Sequence, residues 1–319
     1  MERYPSCSIV VLNYNGVKHL RHLLPTIREA VARHPTPVPV VVVDNRSTEP
    51  DVAYVHENFP EFEVVVAERN DYLFSLNPIV AARPEDVVIL LNNDMRVAPD
   101  FIAPLLEHME DPDVLGAIPA VLDWEGEVYT TGQRVPNVRR YWFHERHDAA
   151  VTRASYTLAA GCGAMRRTHF TALGGYDPLY RPGYWEDMDL SYRGWARGWK
   201  CVYEPRSVIY HRVGGTFGEQ PELQHHLYHR NRFLFVAKNV GGWGFVLIYL
   251  ALLPVRVVRD LLRERNRAQA RGIWSGLSRL PQALRARLAE PGVPRRSHEE
   301  IAAAIRRPPD SDSPYAQVA

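Results

Sequence analysis

Four short apolar runs, separated by helical segments, constrain the fold of this chain more than any other feature of its sequence. The runs are rich in β-branched residues and have strand length, at residues 7–12, 38–43, 63–67 and 86–91. Segments with helical periodicity lie between them, at residues 16–33, 49–59 and 75–82. Strands that alternate with helices form βαβ units, whose parallel sheet is covered on both faces. The sequence therefore predicts an α/β fold.

Polar residues follow each of these four runs. The loops read Asn13-Tyr14-Asn15-Gly16, Asp44-Asn45-Arg46-Ser47, Arg69-Asn70-Asp71 and Asn92-Asn93-Asp94. Ligands of open α/β sheets bind outside the carboxyl ends of the strands, where such loops meet. The pattern therefore predicts a ligand site at this edge of the sheet.

The net charge of +1 hides an uneven distribution along the 319 residues. Residues 256–307 contain thirteen arginines and five acidic residues, a net charge of +8, whereas residues 1–255 carry −5. The overall balance excludes a protein built to coat nucleic acid, so no nucleic-acid partner is predicted. The basic tail leaves contact with an anionic membrane surface open.

The cysteines and the N-terminus bear on location. Cys7, Cys162 and Cys201 are odd in number and widely spaced, which argues against a disulfide framework and against a CxxC metal site. The first residues do not have the pattern of a secretory signal. We therefore expect a cytoplasmic protein.

Three motifs carry candidate chemistry. Asp94 follows an apolar run and is a suitable oxygen ligand for Mg²⁺ or Mn²⁺, although Asn92-Asn93-Asp94 also suits a plain polar turn. The carboxylates of Glu186, Asp187 and Asp189 stand at a helix N-terminus, where they act either as caps or as a general base. Asp187 and Asp189 cannot share one helical face, so we expect Asp189 to serve the cap or the fold.

His211 is the third candidate. It follows an apolar run, where a histidine is either a structural residue or, together with Asp94, a metal ligand through one imidazole nitrogen. The sequence has no GxGxxG after the first strand and no GxxxxGK[ST], which excludes the dinucleotide and P-loop phosphate sites.

In this order, the motifs resemble those of the inverting family 2 glycosyltransferases with the GT-A fold, especially the bacterial rhamnosyltransferase-like members. The matching stretches are IVVLNYNG, VVVVDNRST, VVILLNNDMRVAPDF, AAGCGAMRRTHFTALGGYDP, YWEDMDLSYRGWARGWK and IYHRVGGT. The resemblance implies a Rossmann-like, mostly parallel central sheet flanked by helices, with a helical C-terminal extension. It also implies metal-assisted, inverting transfer of a sugar from a nucleotide-diphosphate sugar to a hydroxyl of a glycan or lipid-linked acceptor.

Roles for individual residues follow from the resemblance. Asp187 is the expected general base, with Glu186 beside it, and Asp94 and His211 are the expected contacts of a divalent Mg²⁺ or Mn²⁺ ion. Asn92 replaces the first Asp of the family's DxD motif. The expected nucleotide-sugar contacts are Asn13, Asn15, Asp44, Asn45, Ser47, Asn70, Asn92, Asn93, Gly161 and Trp185.

One stretch departs from the family. Many relatives have a glycine-rich N-x-G-F-A-G-G-N segment, whereas this chain has non-glycine residues at 72, 75 and 76 between Asn70 and Asn77. Side chains fill space that glycine leaves open, which affects donor choice or loop mobility. An alternative therefore stays open, in which a catalytically inactive GT-A protein only binds a nucleotide or glycan, or acts as a scaffold.

The predicted organisation has three parts. Residues 1–220 form the catalytic domain, with a nucleotide-binding half at about 1–110 and an acceptor half at about 111–220. Residues 221–307 form an arginine-rich helical region, and residues 308–319 form a disordered tail. The apolar segment 243–255 is too short to span a bilayer. It either lies peripherally on the inner face of the cell membrane, or packs on the catalytic domain or on the partner in a homodimer.

Overall fold

The computed structural model describes residues 4–129, 134–147, 162–212, 220–263, 267–289 and 296–306. Gly161 and the predicted disordered tail lie outside these ranges.

The first half of the chain forms the parallel part of a large sheet. Its strands are β1 (Cys7–Asn13), β2 (Val40–Asp44), β3 (Glu63–Val66) and β4 (Val87–Asn92), in the spatial order β3-β2-β1-β4. Helices α1 (Val17–Arg33), α2 (Asp51–Asn58) and α3 (Leu76–Ala82) connect them. All three strand pairs are parallel. The four predicted strands and the parallel sheet are confirmed.

The second half continues the same sheet with mixed directions. Its elements are β5 (Met95–Val97), α4 (Ile102–Glu107), β6 (Val114–Leu122), β7 (Val128–Tyr129), β8 (Arg134–Arg139), β9 (Trp142–His147), β10 (Cys162–Arg166), α5 (Arg167–Ala172), α6 (Glu186–Ala196) and β11 (Lys200–His211). From β4 the order runs β10-β6-β11-β5. Strand β10 is antiparallel to both β4 and β6, whereas β11 is parallel to β6. Strands β8 and β9 form a separate hairpin.

Within the described ranges, six α-helices follow the sheet. They are α7 (Pro221–Asn239), α8 (Trp243–Ala251), α9 (Leu253–Leu261), α10 (Arg267–Gly276), α11 (Leu280–Leu288) and α12 (His298–Arg306). The predicted helical C-terminal region is confirmed. Helices α9 and α11 each have a proline in the first turn, Pro254 and Pro281, because proline lacks an N–H donor and fits that position best.

Two apolar layers cover the faces of the sheet. Ile9 and Val11 of β1 face one layer, which includes Leu20 and Leu24 of α1. Val10 faces the other layer, which extends to residues of α6, α7, α10 and α12. Glycines at 272 and 276 in α10 lie so close to α7 that a Cβ at Gly276 would be 2.6 Å from the Phe233 ring. The C-terminal helices therefore belong to the packed body of the molecule.

None of the helices in the described ranges combines the length and the apolar content needed to cross a bilayer. The proposed boundary at residue 220 stays a prediction.

Candidate active site

The ends of β1 and β4 meet in a buried amide cluster. Asn13 donates from Nδ2 to Asp51 Oδ1 at 2.9 Å and accepts at Oδ1 from Asn93 Nδ2 at 2.7 Å. Asp51 Oδ1 also accepts from the Gly16 backbone N–H at 2.7 Å. A Cβ at Gly16 would lie 2.1 Å from Asn93 Nδ2, so only glycine fits there. Asp51 completes the cluster from the start of α2, and no motif marked it beforehand.

The loops after β1 and β2 are tied to each other by Asn15. Its side-chain Oδ1 accepts from the Thr48 N–H at 2.7 Å, and its own N–H donates to Ser47 Oγ at 2.9 Å. The Ser47 N–H in turn donates to Asp44 Oδ2 at 3.2 Å. Asn15 has a φ of 46°, in the left-handed region that asparagine tolerates well. Asn15, Asp44 and Ser47 are therefore brought together at the predicted edge.

The segment that lacks the family's glycines is filled by its own side chains. Ser75 donates from Oγ to Asn45 Oδ1 at 2.6 Å, and Asn45 Nδ2 donates to Asn70 Oδ1 at 2.9 Å. Residues 72–75 form a 3₁₀ turn in which Leu73, Phe74 and Ser75 are buried. The serine hydroxyl therefore holds Asn45 and Asn70 in place without the glycines.

Asp94 and His211 lie next to each other although they are far apart in sequence. Strand β5 pairs with β11 so that Met95 is opposite His211, and His211 Nε2 lies 3.4 Å from Asp94 Oδ2. Asp94 is only 8% exposed, and its Oδ1 is buried without a hydrogen-bond partner in the described part of the chain. An imidazole nitrogen beside an unsatisfied carboxylate oxygen is a suitable donor set for Mg²⁺ or Mn²⁺.

The described part of the chain adds no third protein ligand of this kind to the pair. Within the described ranges, no group of three or more His, Cys, Asp or Glu side chains is arranged to hold a metal ion. Magnesium-type ions commonly take one or two protein ligands and complete their shell with substrate phosphates and water. The residues present therefore fit an ion that is held jointly with a diphosphate.

His19 and Arg212 lie near Asp94. The pKa of His19 is lowered, mainly by burial. The charge of Asp94 opposes this shift, and the charges of Lys18 and Arg212 add to it. The Arg212 guanidinium lies over the Trp124 ring at 5.5 Å, and its backbone N–H donates to the Asp94 carbonyl at 3.0 Å. Lys18 and Arg212, which we call the basic cluster, lie within electrostatic range of His19 and are suited to a phosphate ligand; they were not predicted.

Asp189 is a structural residue. Its carboxylate is completely buried and accepts from Arg193 Nε at 2.7 Å, Lys238 Nζ at 2.7 Å and Tyr180 Oη at 2.8 Å. Burial works to raise the pKa of Asp189, but the charges of Arg193 and Lys238 hold it well below its usual range. The expectation that Asp189 serves the fold is confirmed.

Glu186 and Asp187 begin the same helix but differ in burial. Glu186 is buried, and its Oε2 has no hydrogen-bond partner among the described residues, whereas Asp187 is partly exposed. Burial, followed by the neighbouring charge of Asp187, raises the pKa of Glu186 to about 8. Glu186 is therefore mostly protonated at neutral pH, which leaves Asp187 as the more accessible carboxylate of the pair.

Trp185 precedes this pair in a left-handed conformation. Tyr184 and Trp185 have φ values of 71° and 75°, a backbone geometry that is unfavourable for bulky residues. The Trp185 indole is buried against Phe143, Tyr228 and Phe235, with ring centroids 5.1 to 6.0 Å away. Packing of the indole fixes the start of α6, and its predicted contact with the sugar nucleotide stays a prediction.

Cys162 is influenced by both groups of candidate residues. It begins β10, opposite Leu91 of β4. Burial, together with the charges of Asp187 and Asp94, raises the pKa of the Cys162 thiol to about 12. The proposed base and the proposed metal ligand are therefore both within electrostatic range of one side chain. The next residue, Gly163, has a φ of 125° and no room for a Cβ, which would lie 2.9 Å from the Ala117 carbonyl oxygen.

Comparison with known sequences agrees with this geometry. A model of the family described as "Glycosyl transferase family 2" matches residues 8–174, more than half of the chain. The chain belongs to glycosyl transferase family 2. The matched region begins in β1 and includes the amide cluster, Asp94 and Cys162, so the predicted class of enzyme is confirmed.

This glycosyltransferase is also similar to individual known proteins over most of its length. It is 26% identical to an N-acetylglucosaminyl-diphospho-decaprenol L-rhamnosyltransferase of Mycobacterium tuberculosis, over 81% of this chain and 95% of the relative. Among solved structures, it resembles the mannosyltransferase PcManGT from Pyrobaculum calidifontis in complex with GDP-Man and Mn²⁺, at 16% identity and a TM-score of 0.57, over 90% of this chain and 88% of that one.

A second solved structure is GalNAc-T7 with UDP, GalNAc and Mn²⁺. The TM-score is 0.55 at 21% identity, and the match covers 75% of this chain but 48% of that one. These likenesses confirm the GT-A fold that the family 2 resemblance implies.

The structure brings several of the predicted site residues of this glycosyltransferase together, and their roles stay predictions. Asn92 and Asn93 end β4 and enter the turn to Asp94, and Asn93 joins the amide cluster. Gly161 lies outside the described residues. Asp51, Ser75 and the basic cluster are the additions that the structure makes.

Proposed function

We propose that this glycosyltransferase moves a sugar from a nucleotide-diphosphate sugar to a hydroxyl of a glycan or lipid-linked acceptor, with inversion at the anomeric carbon. The observation that carries the proposal is the pair formed by Asp94 and His211, 3.4 Å apart, with Asp94 Oδ1 buried and unsatisfied in the described part of the chain. The charges of Asp94 and Asp187 both act on the Cys162 thiol, which is consistent with one shared site. A diphosphate-binding group and a candidate base are both needed for such a transfer. The similarity to a relative named for transfer to a diphospho-decaprenol acceptor supports the lipid-linked class.

In the proposed reaction, Asp187 accepts the proton of the acceptor hydroxyl. The hydroxyl oxygen attacks the anomeric carbon from the face opposite the diphosphate, and the bond between that carbon and the diphosphate oxygen breaks. One displacement of this kind inverts the configuration. Glu186, protonated because of its burial, keeps a second negative charge away from Asp187. A positioned general base typically contributes about 10²- to 10⁴-fold to the rate.

The leaving group is a nucleoside diphosphate. Asp94 and His211 would hold a Mg²⁺ or Mn²⁺ ion, which supplies positive charge to the departing diphosphate when bound. Lys18 and Arg212 of the basic cluster add positive charge near His19, on which the charge of Asp94 also acts. The loops of Asn15, Asp44, Asn45 and Asn70 are the proposed contacts of the nucleotide. A lipid-linked acceptor is consistent with a cytoplasmic enzyme at the inner face of the cell membrane.

Asp187→Asn tests the base. We expect it to lower transfer by about 10²- to 10⁴-fold, because an amide cannot accept the proton. Nucleotide-sugar binding is measured as the shift in melting temperature that the nucleotide sugar causes with Mn²⁺ present. This shift should stay close to that of the unchanged protein. Glu186→Gln is the matched control and should keep most of the activity, since Glu186 is already neutral.

The measurement is transfer from a panel of nucleotide sugars with Mg²⁺ or Mn²⁺. Full transfer by Asp187→Asn would show that the base is assigned wrongly. If the unchanged protein binds nucleotide sugars but neither transfers nor hydrolyses any donor of the panel, the inactive, ligand-binding alternative is supported instead.

A further inference from the structure

Helices α8 and α9 carry an exposed apolar stripe. Leu252, between the two helices, has helical dihedral angles (φ −82°, ψ −11°), so the helical path continues from α8 into α9. Exposed apolar residues recur every three or four positions along it, which places them on one side: Ile248, Leu252, Val255, Val258 and Leu262. Val255 is 69% exposed and Leu262 is 81% exposed, and Leu247 beside them is 65% exposed. Large apolar side chains in contiguous exposed patches indicate an interaction surface. We call this set the apolar stripe.

An arginine-lined cleft of about 310 Å³ lies beside the stripe. Helix α9 contributes Arg256 and Arg259, and the β8–β9 hairpin contributes Arg139, Arg140 and Trp142. None of the described residues that line this arginine cleft is acidic. The nearby Asp260 is completely buried and bound to Arg259 at 3.2 Å, so it adds no exposed negative charge.

The arginine cleft is built by specific contacts. The Trp142 ring has Arg232 over it at 4.7 Å and Arg256 at 5.0 Å, and Arg256 also donates to the Tyr141 carbonyl at 3.2 Å. The two turn residues of the hairpin, Arg140 and Tyr141, have φ values of 50° and 59°. Asn-Gly is the favoured pair in such a turn, so these side chains are kept at some conformational cost.

A second copy of the chain is a poor occupant for this surface. A two-fold interface places the same patch of both copies face to face, so the arginines of one copy would oppose those of the other. An anionic bilayer has the opposite charge and an apolar boundary in the same plane. Charge and apolar pattern therefore both match a membrane surface.

We propose that the apolar stripe and the arginine cleft form a docking surface for an anionic bilayer. The stripe lies at the boundary of headgroups and acyl chains, and the arginine cleft binds a lipid phosphate. The surface is connected to the candidate active site, because Phe143 follows Trp142 in β9 and contacts Trp185 at the start of α6. Binding to lipid requires no step of the transfer reaction, so it is tested independently of the proposed function.

Vesicle flotation of the full chain without donor is the test. The vesicles contain phosphatidylcholine alone or phosphatidylcholine with phosphatidylglycerol, at low and high NaCl. We expect binding to the anionic vesicles that weakens with salt. Arg139→Gln and Arg140→Gly should each lower the partition coefficient by about fivefold, the effect of one basic residue near an anionic surface. Arg140→Gly also suits the positive φ, so its melting temperature should not fall.

Val255→Asp tests the stripe and should reduce binding to both kinds of vesicle, because it places a charge at the apolar boundary. The matched controls are Arg33→Gln on α1 and Leu288→Asp on α11, both exposed and away from this surface. They should bind like the unchanged protein.

Three results would overturn the proposal: equal binding with and without phosphatidylglycerol, absence of vesicle binding, or a dimer in light scattering that Val255→Asp separates. Donor hydrolysis is measured for every variant. Loss of lipid binding with hydrolysis retained separates this surface from the catalytic proposal.

Discussion

Glu186 shows how one buried carboxyl couples protonation to stability. Its pKa is about 8 in the folded protein, above its ordinary value of 4.5. Between these two values the folded state keeps a proton that the unfolded state has lost, so stability falls as the pH rises through this window.

Glu186→Gln should remove that dependence. The amide imitates the protonated acid and does not titrate, so the variant should lose less free energy of unfolding between pH 5 and pH 8 than the unchanged protein, a window set by the shift in the pKa of Glu186. Urea unfolding at several pH values measures the difference. Parallel curves for the two proteins would mean that Glu186 is ionised in the folded state.

The sequence predicts the acidic residues of the site better than their surroundings. Asp94 and His211 stand in recognisable motifs, and the structure places them 3.4 Å apart. Asp51 and Ser75 are not marked by any motif, because their importance depends on partners that only folding brings within hydrogen-bond distance. The absence of the family's glycines near Asn70 predicts an altered loop. It does not predict that the Ser75 hydroxyl supports that loop through Asn45.

Among the elements, α6 is held to α7 by buried ion pairs. Lys238 of α7 bonds Asp189 of α6 at 2.7 Å and Asp177 at 2.5 Å. These contacts fix α6, the helix that begins with Glu186 and Asp187, at one buried point. Removing Lys238 would leave the carboxylate of Asp189 buried with less compensating positive charge, which is costly.

Lys238→Met should lower the free energy of unfolding by about 3 kcal/mol, near the lower end for a broken buried ion pair, because Arg193 still pairs with Asp189. Lys200→Met is the matched control. Lys200 also bonds an aspartate at 2.7 Å, but it is 45% exposed, so its loss should cost less than about 1 kcal/mol. Equal losses in urea unfolding would contradict the structural role of Lys238.

The elements themselves are predictable to different degrees. The strands β1 to β4 follow from local pattern, since parallel strands buried on both faces are nearly continuous in apolar residues. The insertion of β10 between β4 and β6 is not predictable in this way, because its pairing joins distant parts of the chain. The starts of α9 and α11 follow from a local signal, because Pro254 and Pro281 each occupy the first turn, where proline is tolerated.

At the scale of the whole molecule, the C-terminal helices share the apolar layer of the catalytic half. Ile273 of α10 and Ile301 of α12 belong to the same buried cluster as Val10 of β1. We expect one cooperative thermal transition for the full chain, since the packed helices and the sheet bury a common surface.

Truncation after Val240 should therefore do more than remove a tail. Loss of α8 to α12 exposes Phe233 and its neighbours on α7, so the shortened chain should melt at a clearly lower temperature or aggregate. Removal of residues 308–319, predicted to be disordered, is the control and should leave the transition unchanged. Calorimetry measures both, and an unchanged transition after truncation at Val240 would mean that the two regions fold independently.

The choice of arginine in the cleft beside α9 has a regulatory consequence. Guanidinium groups stay charged at every physiological pH and are not substrates of lysine acetylation. His144 in the same cleft stays uncharged at physiological pH, because burial and the charge of Arg232 lower its pKa to about 4. Attachment through this surface would be constitutive, and the cell would adjust it by changing its lipids and not by changing the protein.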